Sequence, residues 1–290
     1  MTILLTGATG YIGGAVLELL ISQGTQVTAV VRSETAADKV RAKGAEAAIV
    51  DLSDVAALGR LLAAVDGAIH TASPGDTTSA AFDTAVIDAV LAEFGGTEKH
   101  YVHTSGVWIW GSQSRIVENS PLDPPAIVAW RLEQEQRLLE STVAATIVAP
   151  GIVYGEGGGI ANIILDAPGA GTDAVTLIGD GAQCWGTVHV RDLAKLYVLA
   201  LESNPGGRLI GASGSVAVAD LYGAAHPGAK LMAEDPEATR SRLGAQFADA
   251  LLLDQVVSEQ VRSRDLGWRP TEASLQDELA AGYRTAGQPA

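Results

Sequence analysis

The run Gly7-Ala8-Thr9-Gly10-Tyr11-Ile12-Gly13 constrains this chain more than any other stretch. An apolar segment, Ile3-Leu4-Leu5, precedes it, and Gly14-Ala15-Val16-Leu17-Glu18-Leu19-Leu20 follows, so the order reads strand, tight glycine turn, helix. Glycines let the backbone turn sharply and let a diphosphate reach the amides of a helix N-terminus. In this context the pattern predicts the first turn of a dinucleotide-binding unit, with Gly7, Thr9, Gly10, Tyr11 and Ile12 against the ligand. The plain alternative is a tight strand–helix turn with no ligand.

The helix is predicted from about Tyr11 to Ser22, stopping near Gly24, and the next strand over Gln26 to Val31. In a dinucleotide fold the residue just past the second strand faces the adenosine ribose. A carboxylate there pairs with the 2′-hydroxyl, whereas an arginine accommodates a 2′-phosphate. Arg32, with Ser33 beside it, therefore argues for NADPH, with NADH the second possibility. Read without a ligand, Arg32 is a solvated charge at a strand end.

Alternating elements continue along the chain. A helix is expected over Ala36 to Lys43 and a short strand over Ala47 to Val50. Asp51-Leu52 then either flanks an adenine ring or, in the case of Asp51, caps a helix from Val55 to Val65. The strand Gly67 to His70 leads into Thr71, Ala72 and Ser73, small residues that allow close approach to a ribose or nicotinamide. His70 suits packing within its strand better than catalysis. A helix over Ser79 to Phe94 precedes a fifth strand, His100 to Thr104, which runs into Ser105-Gly106-Val107-Trp108-Ile109-Trp110-Gly111. A long helix is expected over Ala126 to Ser141, then a strand over Ala145 to Ala149 that ends in Pro150-Gly151-Ile152-Val153-Tyr154-Gly155.

This alternation predicts an α/β, Rossmann-type doubly wound parallel sheet. Loop-rich segments beginning at Glu156-Gly157-Gly158-Gly159 mark the start of a smaller C-terminal substrate lobe. The dinucleotide-binding domain is read as residues 1–155, completed by about 187–213, and the smaller lobe as 156–186 and 214–290. A helix opens at Val188-His189-Val190-Arg191-Asp192-Leu193-Ala194, Arg208 to Gly211 reads as a short strand, and the rest is read as helical.

Charge narrows the partners. Nineteen basic against 34 acidic side chains give a formal net charge of −15, a field that repels nucleic acid and anionic membranes. Cys184 is the only cysteine, so no intrachain disulfide can form. No apolar run is long enough to span a bilayer, and no secretion signal is apparent, so a cytoplasmic location is expected.

Thr6-Gly7-Ala8-Thr9-Gly10-Tyr11-Ile12-Gly13, Asp51-Leu52, His70-Thr71-Ala72, His103-Thr104-Ser105, Pro150 to Gly155, Val188 to Ala194 and Leu266-Gly267-Trp268-Arg269-Pro270 occur in that order over nearly the whole chain. In this the chain resembles the extended short-chain dehydrogenases/reductases of the NAD(P)-dependent epimerase/dehydratase type. The resemblance implies that Pro150 and Val153 also contact the cofactor, and that a serine or threonine, a tyrosine and a lysine carry the chemistry. Homodimerisation through the helices after strands four and five is common in that family.

Those three positions are altered here. Anchored on Glu135, the lysine position holds Arg131 and the tyrosine position Ile127; anchored on Ile109-Trp110-Gly111, the serine position holds Gly106. Isoleucine cannot transfer a proton. Arginine stays charged, so it is a poor acid–base group but a good hydrogen-bond donor to ribose hydroxyls or a phosphate. Cofactor binding is therefore expected, with a non-standard proton source: Tyr154, Ser105 or His189 are the catalytic candidates, together with Arg131. Trp108, Tyr154, Cys184 and Trp185 form the candidate lining for a small hydrophobic carbonyl or imine-type substrate. The second reading is a non-catalytic NADPH-binding redox sensor of the NmrA-like kind. A nucleotide-sugar epimerase or dehydratase, or another cofactor-assisted isomerase or lyase, is the lesser alternative.

Overall fold

The computed structural model describes residues 1–259 and 261–283. The chain divides into two compact units. The first comprises Met1–Ser105, Trp130–Ala149 and Ala194–Leu209; the second comprises Gly106–Ala129, Pro150–Leu193 and the described residues from Ile210 onward.

The first unit is organised around a seven-stranded sheet. Its strands are β1 (Thr2–Thr6), β2 (Gln26–Val31), β3 (Glu46–Ile49), β4 (Gly67–His70), β5 (His100–Thr104), β6 (Ala144–Pro150) and β7 (Gly207–Gly211). They lie in the order β7-β6-β5-β4-β1-β2-β3, and the pairings from β6 to β3 are parallel. The central strands are short runs of apolar, largely β-branched residues. Ile3, Leu5, Ile69 and Val102 are fully buried, as strands covered on both faces require. Helices α1 (Tyr11–Ser22), α2 (Glu34–Ala42), α3 (Val55–Ala63), α4 (Ser79–Phe94) and α5 (Arg131–Leu139) supply the covering layers. One core joins Leu4, Leu58, Leu62, Val86, Val90, Phe94, Tyr101 and Leu138. The strand order reverses at β1, whose neighbours are β4 on one side and β2 on the other. Ligand crevices of doubly wound sheets lie outside the carboxyl ends of strands at such a point.

Several boundaries differ from expectation. The helix predicted over 126–141 forms only from Arg131 to Leu139. Pro124-Pro125 and the branched pair Ile127-Val128 open it with a turn instead, closed by Val128 N–H on the Pro125 carbonyl at 3.0 Å. Helix α2 starts two residues early because Ser33 caps it, accepting from Ala36 N–H at 3.2 Å. Asp51 does not cap the third helix; Asp54 does, accepting from Ala57 N–H at 2.9 Å.

The second unit also carries strands where helix was expected. Cys184–His189 pairs antiparallel with Gly214–Ala217 and parallel with Ile152–Tyr154. Two further two-stranded pairs join Lys230–Met232 to Ala174–Thr176 and Gln255–Val257 to Gln113–Ile116. Its core gathers Tyr154, Ile164, Ile178, Trp185, Leu221, Tyr222 and Leu275.

Candidate functional site

A cleft of about 450 Å³ opens in the first unit, over the carboxyl ends of β1, β2 and β4. Gly7, Thr9, Gly10, Tyr11 and Ile12 line one side. Arg32, Ser33 and Leu52 line a second, and Thr71, Ala72 and Ser73 a third. The glycines are there for steric reasons. Gly7 has φ +74°, and a β-carbon on it would lie 2.7 Å from the Ala72 nitrogen. A β-carbon on Gly13 would lie 2.2 Å from the Gly7 carbonyl oxygen and 2.5 Å from Thr71 Oγ1. Helix and strand ends can approach this closely only where both residues lack side chains.

The residue at the N-cap of α1 is Gly10, which has no side chain to offer, and the first turn of the helix holds no acidic residue. The positive end of α1 is thus left open toward the cleft, the arrangement that receives a diphosphate. Arg32, exposed at the end of β2, supplies a cation on the same cleft. These residues fit a dinucleotide. The cleft also takes in Gly13, Val30, Val31, Ala36, Pro74 and Phe82. Phe82, on α4, reaches it only through helix packing, for which its sequence neighbourhood carries no signal.

The other predicted cofactor residues are not among those that line this cleft. Asp51 is exposed and closes a local turn, accepting from Ser53 N–H at 2.9 Å and Ser53 Oγ at 2.8 Å; these bonds hold its carboxyl below the usual range. Pro150 ends β6, and Val153 sits mid-strand in the second unit. Arg131, the first residue of α5, turns inward: Nη1 donates to the Thr104 carbonyl at 2.9 Å and lies 3.8 Å from Asp83 Oδ2.

Ser105, at the end of β5, is buried and donates to Glu135 Oε1 at 2.5 Å. Glu135 is fully buried and also receives Arg208 Nε at 2.6 Å. The glutamate that served only as an alignment anchor thus ties α5 to both the β5 end and β7.

In the second unit, Tyr154 is 1 % exposed and its hydroxyl donates to the Ala273 carbonyl at 2.7 Å. Burial raises its pKa far above that of a free phenol. His189 is bonded on both ring nitrogens: Nδ1 accepts from Arg191 N–H at 3.1 Å, and Nε2 lies 3.3 Å from Glu278 Oε1. Burial lowers its pKa. These bonds give Tyr154 and His189 partners within this unit.

Of the expected lining, Tyr154 and Trp185 belong to the core of this unit, with Trp108 packed against it. Trp185 is buried and donates from Nε1 to the Leu251 carbonyl at 2.9 Å. Trp108 meets Phe247 edge-on, with ring centroids 6.2 Å apart. Cys184 is half-buried on its strand, and burial raises its thiol pKa. A cleft of about 390 Å³ includes Tyr154 but none of those three; hydroxyls of Thr187, Ser213, Ser215 and Ser274 line it with Glu272. The motifs at 188–194 and 266–270 are joined by Asp192, which receives Thr271 and Glu272 N–H, each at 2.9 Å, while its carbonyl receives Trp268 Nε1 at 2.8 Å.

Comparison with known proteins agrees with the cleft. The family model described as NAD(P)H-binding matches residues 7–203. An uncharacterised protein of Schizosaccharomyces pombe is 31 % identical over 97 % of this chain and 99 % of its own length. A 4-hydroxy-2-methyl-3-oxo-4-farnesyl-3,4-dihydroquinoline-1-oxide ketoreductase of Stigmatella aurantiaca is 27 % identical, covering 72 % of this chain and 67 % of its own. Among solved structures, the human epimerase family protein SDR39U1 with NADPH superposes with a TM-score of 0.74 at 23 % identity, over 97 % of this chain and 98 % of that one. The chain belongs to the NAD(P)H-binding family; it shares the fold of solved epimerase-family structures, and its sequence holds no Tyr-x-x-x-Lys pair. Among the described residues, no helix is long and apolar enough to cross a membrane.

Proposed function

We propose that the protein is an NADPH-dependent reductase of small hydrophobic carbonyl or imine-type compounds. The observation that carries this reading is Arg32, placed on the same cleft as the open N-terminus of α1. A cation at the end of β2 matches a 2′-phosphate in charge and hydrogen-bonding geometry, and the helix end matches the diphosphate. The ketoreductase name of one relative and the NADPH in one structural neighbour support it. Bound there, the dinucleotide would supply the hydride. Gly7, Gly10 and Gly13 would admit it to backbone contact, and Arg131 would donate hydrogen bonds to its oxygens. The proton would come from a group other than the family tyrosine, or from water.

A second reading is a non-catalytic redox sensor that binds NADPH. It is favoured by the hydrogens of Ser105 and Tyr154, each of which is already committed within its own unit. One experiment separates the two. The purified protein is incubated with NADPH deuterated at the transferable position and an extract of cellular metabolites, and mass spectrometry looks for label in small molecules. A labelled product makes it a reductase and reveals the substrate class; tight binding without transfer makes it a sensor.

A further inference from the structure

Thr6, His70 and His103 form one row across the sheet. Thr6 pairs in register with His70, and His70 with His103. The two imidazoles stack 5.5 Å apart at 14°. Asp83 of α4, 2 % exposed, lies over them: His70 Nε2 is 3.3 Å from Oδ1 and His103 Nε2 is 3.5 Å from Oδ2.

The outer ring nitrogens are bonded as well. Thr6 Oγ1 accepts Thr71 and Ala72 N–H, each at 3.3 Å, so its own hydrogen is free for His70 Nδ1 at 2.7 Å. The buried Tyr101 hydroxyl lies 3.1 Å from His103 Nδ1. Both Nε2 atoms face Asp83. A metal ion on this trio of potential ligands would meet the Arg131 guanidinium, which lies 3.8 Å from the same carboxylate.

Arg131 is the permanent cation beside the buried carboxylate. Nη1 makes both inward contacts, to Asp83 and to the Thr104 carbonyl, and 15 % of the side chain stays exposed. Trp130 backs the guanidinium at 4.5 Å. Both contacts are made by one nitrogen of the fork, at the carboxyl end of β5.

We infer that Asp83, steadied by His70 and His103, is a positioning residue that holds Arg131 as a hydrogen-bond donor to the bound NADPH, in the place the family gives to lysine. The inference rests on the proposed cofactor and goes further by giving its arginine a buried counterion.

The test is a double-mutant cycle in NADPH affinity, read by fluorescence titration on Asp83→Asn, Arg131→Met and the double variant, with metal content measured alongside. Asp83→Asn is expected to weaken NADPH roughly tenfold when Arg131 is present and to change nothing further when Met replaces it. Asp83→Glu, which keeps the charge, should recover most of the affinity. Equal losses in both backgrounds, no loss at all, or stoichiometric metal in the wild type that disappears in Asp83→Asn would overturn the inference alone. Absence of NADPH binding by the wild type would overturn the proposed cofactor and the inference with it. Should Asp83→Asn fail to fold, the double variant decides: a charge-balanced pair requires it to fold better than either single change, and a double variant no more stable than the singles refutes the pairing.

Discussion

The Oγ of Ser105 and the Oε1 of Glu135 are 2.5 Å apart, and both residues are buried. The carboxylate also holds Arg208, so Glu135→Ala removes the carboxylate partner of a cation that is 15 % exposed. Breaking such a pair should lower unfolding free energy by about 3 kcal/mol, measured by urea denaturation. Ser105→Ala removes one bond to the same carboxylate and should cost about 1–2 kcal/mol with turnover retained. A drop in turnover of about 100-fold at near-unchanged stability would instead place the Ser105 hydroxyl in the chemistry.

Gly13 and its neighbour Gly14 should respond oppositely to alanine. At Gly13 the new β-carbon strikes the Gly7 carbonyl; at Gly14 its nearest contact is the Ala8 carbonyl at an ordinary 3.7 Å. Gly13→Ala should abolish cofactor binding, seen by titration. Gly14→Ala should bind normally and gain about 0.5–1 kcal/mol of stability from helix propensity.

Arg32→Glu reverses the charge at the end of β2. NADPH affinity should fall by about 100-fold or more, while NADH is affected far less. Comparable losses for both cofactors, measured by isothermal titration, would remove Arg32 from the 2′-phosphate site.

Tyr154→Phe tests the most favourably placed phenol. Its hydroxyl is spent on the Ala273 carbonyl, so the change should cost about 1 kcal/mol of stability and leave the rate within about twofold. A general acid would lose about 100-fold or more.

The stability of the first unit should fall in acid. Burial holds His70 below its ordinary value of 6.5, against the pull of Asp83. The unfolded chain then binds a proton that the folded one refuses, so stability rises with pH up to about 6.5 and is eroded below it. Burial raises Asp83, but hydrogen bonds from His103 and His70 outweigh it and hold the carboxyl far below 3.8. Its contribution is full above the unfolded value and is lost as pH falls beneath it. Urea midpoints should decline from neutral pH downward, and His70→Asn should flatten the upper part of that decline.

What the sequence makes legible is what short-range periodicity controls. Helices Tyr11–Ser22 and Ser79–Phe94 and strand Gly67–His70 form between the residues expected, because period and boundary signals lie inside each segment. Most of the cleft is legible for the same reason, since residues just past β1, β2 and β4 must converge wherever parallel strands align. The three-residue strands of the second unit are not, because each is stabilised by a partner far along the chain. The duty of a polar side chain is hidden likewise: Ser105 finds Glu135 30 residues on, and Tyr154 finds Ala273 119 residues on.

The bare start of helix α1 has a thermodynamic consequence. A helix closed by its own serine or aspartate has a finished first turn before any ligand arrives; α1, begun by Gly10, does not. The bound diphosphate would serve as the missing cap, so occupancy and local order become one variable. Amide hydrogen exchange over residues 11–14 should slow on saturation, and cofactor at 100 times its Kd should add about 2.7 kcal/mol to global stability. The level of reduced cofactor would then set how long the folded chain survives as well as whether it is loaded.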